Sequence, residues 1–317
     1  MATGDPSPTA ALAPRLASAL RGDAPLADLS GAVAVDPRDR LTALLAIYEL
    51  HTAPLELVGD RARLQHHPVV AELKGRLEEE WLGELTATPL PDDLPADPVD
   101  ALRALAARDR LPAVYRWLAK QATYGELVRF LSLEGGPDGG FDDLVAACQI
   151  GLAGSAKLEL ATNYWDEMGN GDGSAVHTVL HQEMAAALGL TSVPVDEQPV
   201  EGLARTAMGG LLATNRWLQP EMLGALGLTE LQAGPRCRLV LKAFDRLGAP
   251  RGAYEFYEVH ADVDPRHGKD WLDNAVGPLV RERPEWGPRI VRGAWWRSLV
   301  NAAFFRAVTA TADRRAA

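Results

Sequence analysis

Apolar residues recur along the chain at intervals of three and four, and almost nowhere at intervals of two, so the pattern predicts helices joined by loops. Leu41, Leu44, Leu45 and Tyr48 form one apolar stripe that Pro54 ends. A second helix is expected from Pro68, with Val69, Leu73, Leu77, Trp81 and Leu85 on its apolar face and Glu78, Glu79 and Glu80 on its solvated side. Four prolines between Pro89 and Pro98 are incompatible with helix and mark a stiff connector. Beyond it the periodicity predicts helices over 100–110, 112–134, 141–152, 155–168, 200–213, 221–226, 228–247, from 253 past His260, and over 288–309. Another opens near Ser174, a good N-cap residue. Pro235 is expected to bend or split its helix, and the glycine clusters at 135–140 and 169–173 to be turns. Residues 1–13 and 310–317 read as frayed ends.

The expected fold is therefore all-α. The connector suggests a division into an N-terminal helical extension with its proline-rich linker, 1–98, and a main helical bundle, 99–317. With 317 residues, 47 % hydrophobic and 24 % charged, the chain can bury a full core. A formal charge of -11 argues against nucleic acid and anionic membrane as partners, since both require a basic footprint. Cys148 and Cys237 lack CxxC spacing, which gives no support to a disulfide framework or a thiolate zinc site, and both are expected to be reduced. The opening residues do not resemble a signal peptide, and Arg297 and Arg306 interrupt the most apolar late stretch. A cytoplasmic location is the resulting expectation.

Two groups of residues carry chemistry. In HADVDPRH (260–267), His260, Asp264 and His267 fall within about 60° of one another on a helix, a nitrogen and oxygen set suited to first-row metals. Pro265 inside that helix and Arg266 between two candidate ligands both count against the reading; a solvated helix face is the plain alternative. The second group is NYWDEMGNGDGSAVH (163–177), where Glu167 closes one helix, His177 opens the next, and a glycine-rich turn between them can aim both at one point. Alone, it reads first as an ordinary helical joint with surface polar residues. GNGDGS is neither a dinucleotide fingerprint nor a calcium loop. His181 has no HExxH around it, His66 and His67 look like a helix-entry pair, and no GxSxG is present.

The segment LELATNYWDEMGNG (158–171), His177 and the later HxxxDxxH together resemble the haem-oxygenase-like diiron oxidases and oxygenases, the iron-containing redox enzymes. IYELH (47–51) is similar to a segment of bacterial members. The resemblance implies a haem-oxygenase-like bundle holding two iron ions, with Glu167, His177, Glu230, His260, Asp264 and His267 as ligands and Glu134 as a first-helix glutamate. Glu126, two turns earlier, competes with Glu134 for that last role, and Asp166 and Asn163 are expected to support the ligands from behind. It further implies activation of dioxygen to oxidise a small organic substrate, by N-oxygenation of an amine or amino acid or by carbon–carbon cleavage of a fatty or amino acid, with an external electron donor. The extension is expected to serve a homodimer. A mononuclear or manganese/iron site, or a non-catalytic binding protein on the same scaffold, are the other readings.

Overall fold

A computed structural model of the chain describes residues 10–135 and 140–316, except for the side chains of 263–265 and 311–316. All regular structure among these residues is helical: α1 (Leu12–Leu20), α2 (Pro37–Thr52), α3 (Leu55–Val58), α4 (Pro68–Ala87), α5 (Pro98–Arg108), α6 (Ala113–Lys120), α7 (Tyr124–Glu134), α8 (Phe141–Cys148), α9 (Gly154–Glu167), α10 (His177–Leu188), α11 (Val200–Thr214), α12 (Gln219–Leu247), α13 (Tyr254–Asp270), α14 (Gly277–Glu282) and α15 (Gly287–Ala316). The chain divides into two compact units, one comprising the described residues up to Pro89 with Leu203–Thr214, the other Leu90–Gly202 with the residues from Asn215 onward. No single described helix is long and apolar enough to cross a membrane; α2 and Leu55–His66 pass that test only as a pair bent by 118°.

In the first unit Leu16, Leu44, Ile47, Leu73 and Leu77 are buried. The expected stripe of α4 is present, except that Val70 rather than Val69 begins it. Glu78 departs from the solvated side: it is buried, accepts from the Tyr48 hydroxyl at 2.9 Å and lies 3.1 Å from Lys74 Nζ. A buried carboxylate needs such partners. Leu12 and Ala13, expected to be frayed, open α1, because the Asp39 carboxylate accepts from their amides at 2.8 and 2.7 Å. That carboxylate fills the donors a helix start leaves open and meets the positive end of its dipole.

The second unit is organised by α12, whose first half is buried from Pro220 to Leu228 as expected of a helix apolar on every side. It packs against α13, α15, α6 and α5, with Tyr115, Phe130, Val240, Phe244 and Phe304 in the core. The helices expected over 221–226 and 228–247 form one element that continues through Pro235. Conversely, 112–134 breaks in two at Thr123, where Thr123 and Glu126 bond reciprocally as a capping box. Ser174 caps no helix: its hydroxyl bonds to Asp172 Oδ1, and α10 begins at His177. α15 runs on to Ala316 through the stretch expected to fray.

Pro265 is accommodated within α13. Proline has no amide hydrogen, so the carbonyl one turn earlier, that of Ala261, loses its helical donor. Arg238 of α12 supplies the replacement, with Nη1 2.5 Å from that oxygen. A π-helical turn, Trp271–Val276, follows α13 directly. Trp271 is fully buried there and donates Nε1–H to the Leu223 carbonyl at 3.1 Å.

The crossing of α12 and α15 depends on glycine. A Cβ at Gly224 would stand 1.8 Å from the Ile290 carbonyl oxygen, and one at Gly293 1.9 Å from that of Glu221. Beside this contact, Glu221 is fully buried and Arg289 grips it through two bonds of 2.9 and 2.8 Å. A paired guanidinium is what lets a carboxylate remain there. Gly293→Ala is expected to lower stability by about 3 kcal/mol, the upper end of ordinary overpacking, because backbone rather than a movable side chain is struck. A urea midpoint unchanged from wild type would contradict the crossing as described.

Candidate metal centre

The centre is built from the ends and faces of four helices. Its first element is the turn between α9 and α10. Gly169, Asn170 and Gly171 have φ of 61°, 54° and 90°, three successive left-handed residues. A Cβ at Gly169 would lie 2.6 Å from the Ala175 carbonyl carbon, so both the sign of φ and the close return of the chain require glycine. This reversal places His177, the first residue of α10, against Glu167, the last of α9, with Nδ1 2.8 Å from Oε2. Glu230 comes from α12, and His260 and His267, two turns apart, come from α13.

These five side chains form two groups that share Glu167. Glu167, His177 and His260 make one; Glu167, Glu230 and His267 make the other; within each, the ligand atoms lie within 4.8 Å of one another. Glu167, His177, Glu230 and His267 are buried, and His260 is partly exposed. The His177 and His260 rings sit 4.5 Å apart, inclined at 55°.

Hydrogen bonds fix which nitrogen of two imidazoles is basic. His260 Nδ1 lies 2.6 Å from the Phe256 carbonyl oxygen, which can only accept, so Nδ1 carries the proton and Nε2 the lone pair. His267 Nε2 lies 2.8 Å from Asp166 Oδ2. Burial acts to raise the Asp166 carboxyl, but bonds from His267 and Asn170, with the nearby charge of Arg266, outweigh it and hold it below the usual range. Asp166 is therefore an acceptor, His267 Nε2–H donates to it, and Nδ1 is left basic, 3.8 Å from Glu230 Oε2. Asn163 donates Nδ2–H to Glu230 Oε1 at 3.0 Å.

The electrostatics of these groups ask for cations. Burial, then the negative charge of Glu167, pushes the Glu230 carboxyl up to about 8 despite the Asn163 bond. Burial, then His177, pushes His260 down to about 4, which keeps it neutral. Nδ1 of both His177 and His267 is buried without a hydrogen-bond partner, a cost the protein alone does not offset. The 2.8 Å between His177 Nδ1 and Glu167 Oε2 does not serve a hydrogen bond. It is close to the separation of about 3 Å expected for two donors on one first-row ion with bonds of about 2.1 Å. Buried imidazoles with carboxylates are a donor set that iron accepts. The side chains gathered here fit iron.

Glu134, at the end of α7, bonds to the Tyr115 hydroxyl and belongs to neither group. Glu126 is engaged in its capping box. The side chain of Asp264 lies outside the described residues. His181 is buried edge-on to Phe256, 4.9 Å between rings, and is in neither group. Asn163 and Asp166 reach Glu230 and His267 from α9. Arg266, read from sequence only as an objection, donates Nη2–H to Asp166 Oδ2 at 2.8 Å; its position beside His267 was the only available signal.

No curated protein matches the chain in sequence. A family model described as iron-containing redox enzyme matches residues 129–302, more than half of the chain, and includes the helices that supply all five clustered side chains. The matched region is the haem-oxygenase-like helical domain, with further helices preceding it. By that match, and by a buried His/Glu cluster suited to iron, this chain belongs to the iron-containing redox enzyme family.

Proposed function

We propose that the cluster binds two iron ions and that the protein uses them to activate dioxygen and oxidise a small organic substrate, amines and amino acids being the first class to assay. The observation that carries this reading is that Glu167 is common to both groups, so one carboxylate can bridge two ions. His177 and His260 would hold one ion and Glu230 and His267 the other. Asp264, between the two histidines on α13, is the expected further carboxylate. Bound ferrous ions supply the electrons that dioxygen reduction requires.

The chain's own residues prepare the site for that chemistry. The Phe256 carbonyl keeps His260 in one tautomer, and Asn163 holds Glu230 by one oxygen, leaving Oε2 directed toward His267. The Phe256 ring, 4.3 Å from that of His260 and 4.9 Å from that of His181, presents an apolar wall that helps exclude water from reactive species. Two negative charges on Glu167 and Glu230 offset part of the charge of two dications, and neutral imidazoles add none. The proposal includes a cytoplasmic setting and an external electron donor.

Protein loaded anaerobically with ferrous ion is expected to consume dioxygen on mixing and to show a transient visible absorption band, while metal-free protein shows neither. A loaded protein that leaves dioxygen untouched would remove oxygen activation from the account and leave a metal site without it.

A further inference from the structure

The two halves of the centre are oriented by different means. His260, in the half with His177, is fixed within its own helix by the Phe256 carbonyl four residues earlier. Glu230 and His267 are instead fixed from across the bundle, by α9. Asn163, Asp166 and Glu167 stand at i, i+3 and i+4 on that helix and so share a face. Asn163 holds Glu230 at 3.0 Å, and Asp166 Oδ2 holds His267 Nε2 at 2.8 Å. The same Asp166 oxygen also receives Arg266 Nη2 at 2.8 Å. Adjacent residues of α13, one a candidate ligand and one a largely exposed arginine, are thereby clasped by one carboxylate.

We propose that Asn163 and Asp166 are positioning residues for the Glu230–His267 half alone, that Arg266 anchors Asp166, and that this half can be emptied separately. The inference rests on the metal pair proposed above. Removing the Asp166 carboxylate would leave His267 Nε2–H buried without an acceptor and its ring free to turn Nδ1 away from Glu230. Removing Asn163 would release the Glu230 carboxylate in the same way. Arg266 acts through a bond with its own side chain 62 % exposed, so its contribution is smaller and screened by salt. None of these residues bonds to His177 or His260, so the first half is expected to survive; Asp166 also receives Asn170 from the turn ahead of His177, which makes Asn163→Ala the more selective variant.

The test is a cobalt(II) titration of the full chain, followed by visible absorption and calorimetry, with circular dichroism and a urea midpoint confirming the fold of each variant. Wild-type protein takes up two equivalents. Asp166→Ala and Asn163→Ala retain one equivalent at wild-type affinity while the second weakens about 10- to 100-fold, the usual range for losing a residue behind a ligand. Asp166→Asn, which keeps an acceptor oxygen, recovers part of that loss. Arg266→Gln weakens the second equivalent less than tenfold, and the difference from wild type shrinks in high salt. Should Asp166→Ala fail to fold, the Asn and Arg266 variants carry the same distinction. Two unchanged equivalents in the Asp166 variants, or equal weakening of both, overturn the positioning role and leave the metal pair intact. Fewer than two equivalents in wild type overturn both.

Discussion

Glu167→Gln is expected to abolish tight metal binding at both positions, the largest effect of any single substitution considered. Glutamine preserves the shape of the side chain but removes the charge and the capacity to bridge, and Glu167 is the member common to the two groups. Substituting a ligand of one group only, His260→Ala or His267→Ala, should leave about one equivalent. The fold should not suffer, because the core rests on apolar helix faces such as those of α12 and α15, and one buried negative charge beside Glu230 is removed. The readout is thermal unfolding with and without metal. Ligand linkage stabilises a protein by about 2.7 kcal/mol per site at a hundredfold excess over the dissociation constant, so wild type should show a large metal-dependent rise in midpoint. Glu167→Gln should show almost none, from a metal-free midpoint no lower than that of wild type. A variant that still gains the full rise would remove Glu167 from the centre.

Gly169→Ala should have the second largest effect, and it separates the turn from the ligands it aims. Alanine at φ 61° costs about 1–2 kcal/mol on its own. Its Cβ would in addition press on the Ala175 backbone 2.6 Å away, which must shift just ahead of His177. The expected outcome is a stability loss of about 3 kcal/mol together with loss of the His177–His260 equivalent. Gly248→Ala is the control: φ there is 67°, but nothing lies within 4 Å of the added carbon, so it should lose about 1 kcal/mol and no metal. If Gly169→Ala binds metal like Gly248→Ala, the turn has no role in aiming His177.

Local patterns carried most of what could be read from the chain. The 3.6 period located nearly every helix, and the spacing in HADVDPRH put His260 and His267 on one face because a helix leaves no freedom in that relation. The glycine turn allowed the Glu167–His177 approach, but its residue types fitted an ordinary helical joint as well, and only the resemblance to a family singled it out. What stayed hidden depends on contacts between distant segments. Asp39 starts α1 across 27 residues, and Tyr48 with Lys74 draws Glu78 inward; neither leaves a local trace. Spacing along the chain did not reveal that the end of α7 presents Glu134 to Tyr115 rather than to the ligand groups. Nor did it reveal that Arg266 complements Asp166, since the two lie 100 positions apart. The proline inside α13 looked like an obstacle for the same reason: the arginine that repairs the helix belongs to α12.

Diffraction from crystals grown anaerobically with ferrous ion, measured at the iron absorption edge, would locate the metal relative to Glu167. Two anomalous peaks are expected with Glu167 between them, one beside His177 and His260 and the other beside Glu230 and His267. A single peak, or iron bound away from Glu167, would contradict that arrangement.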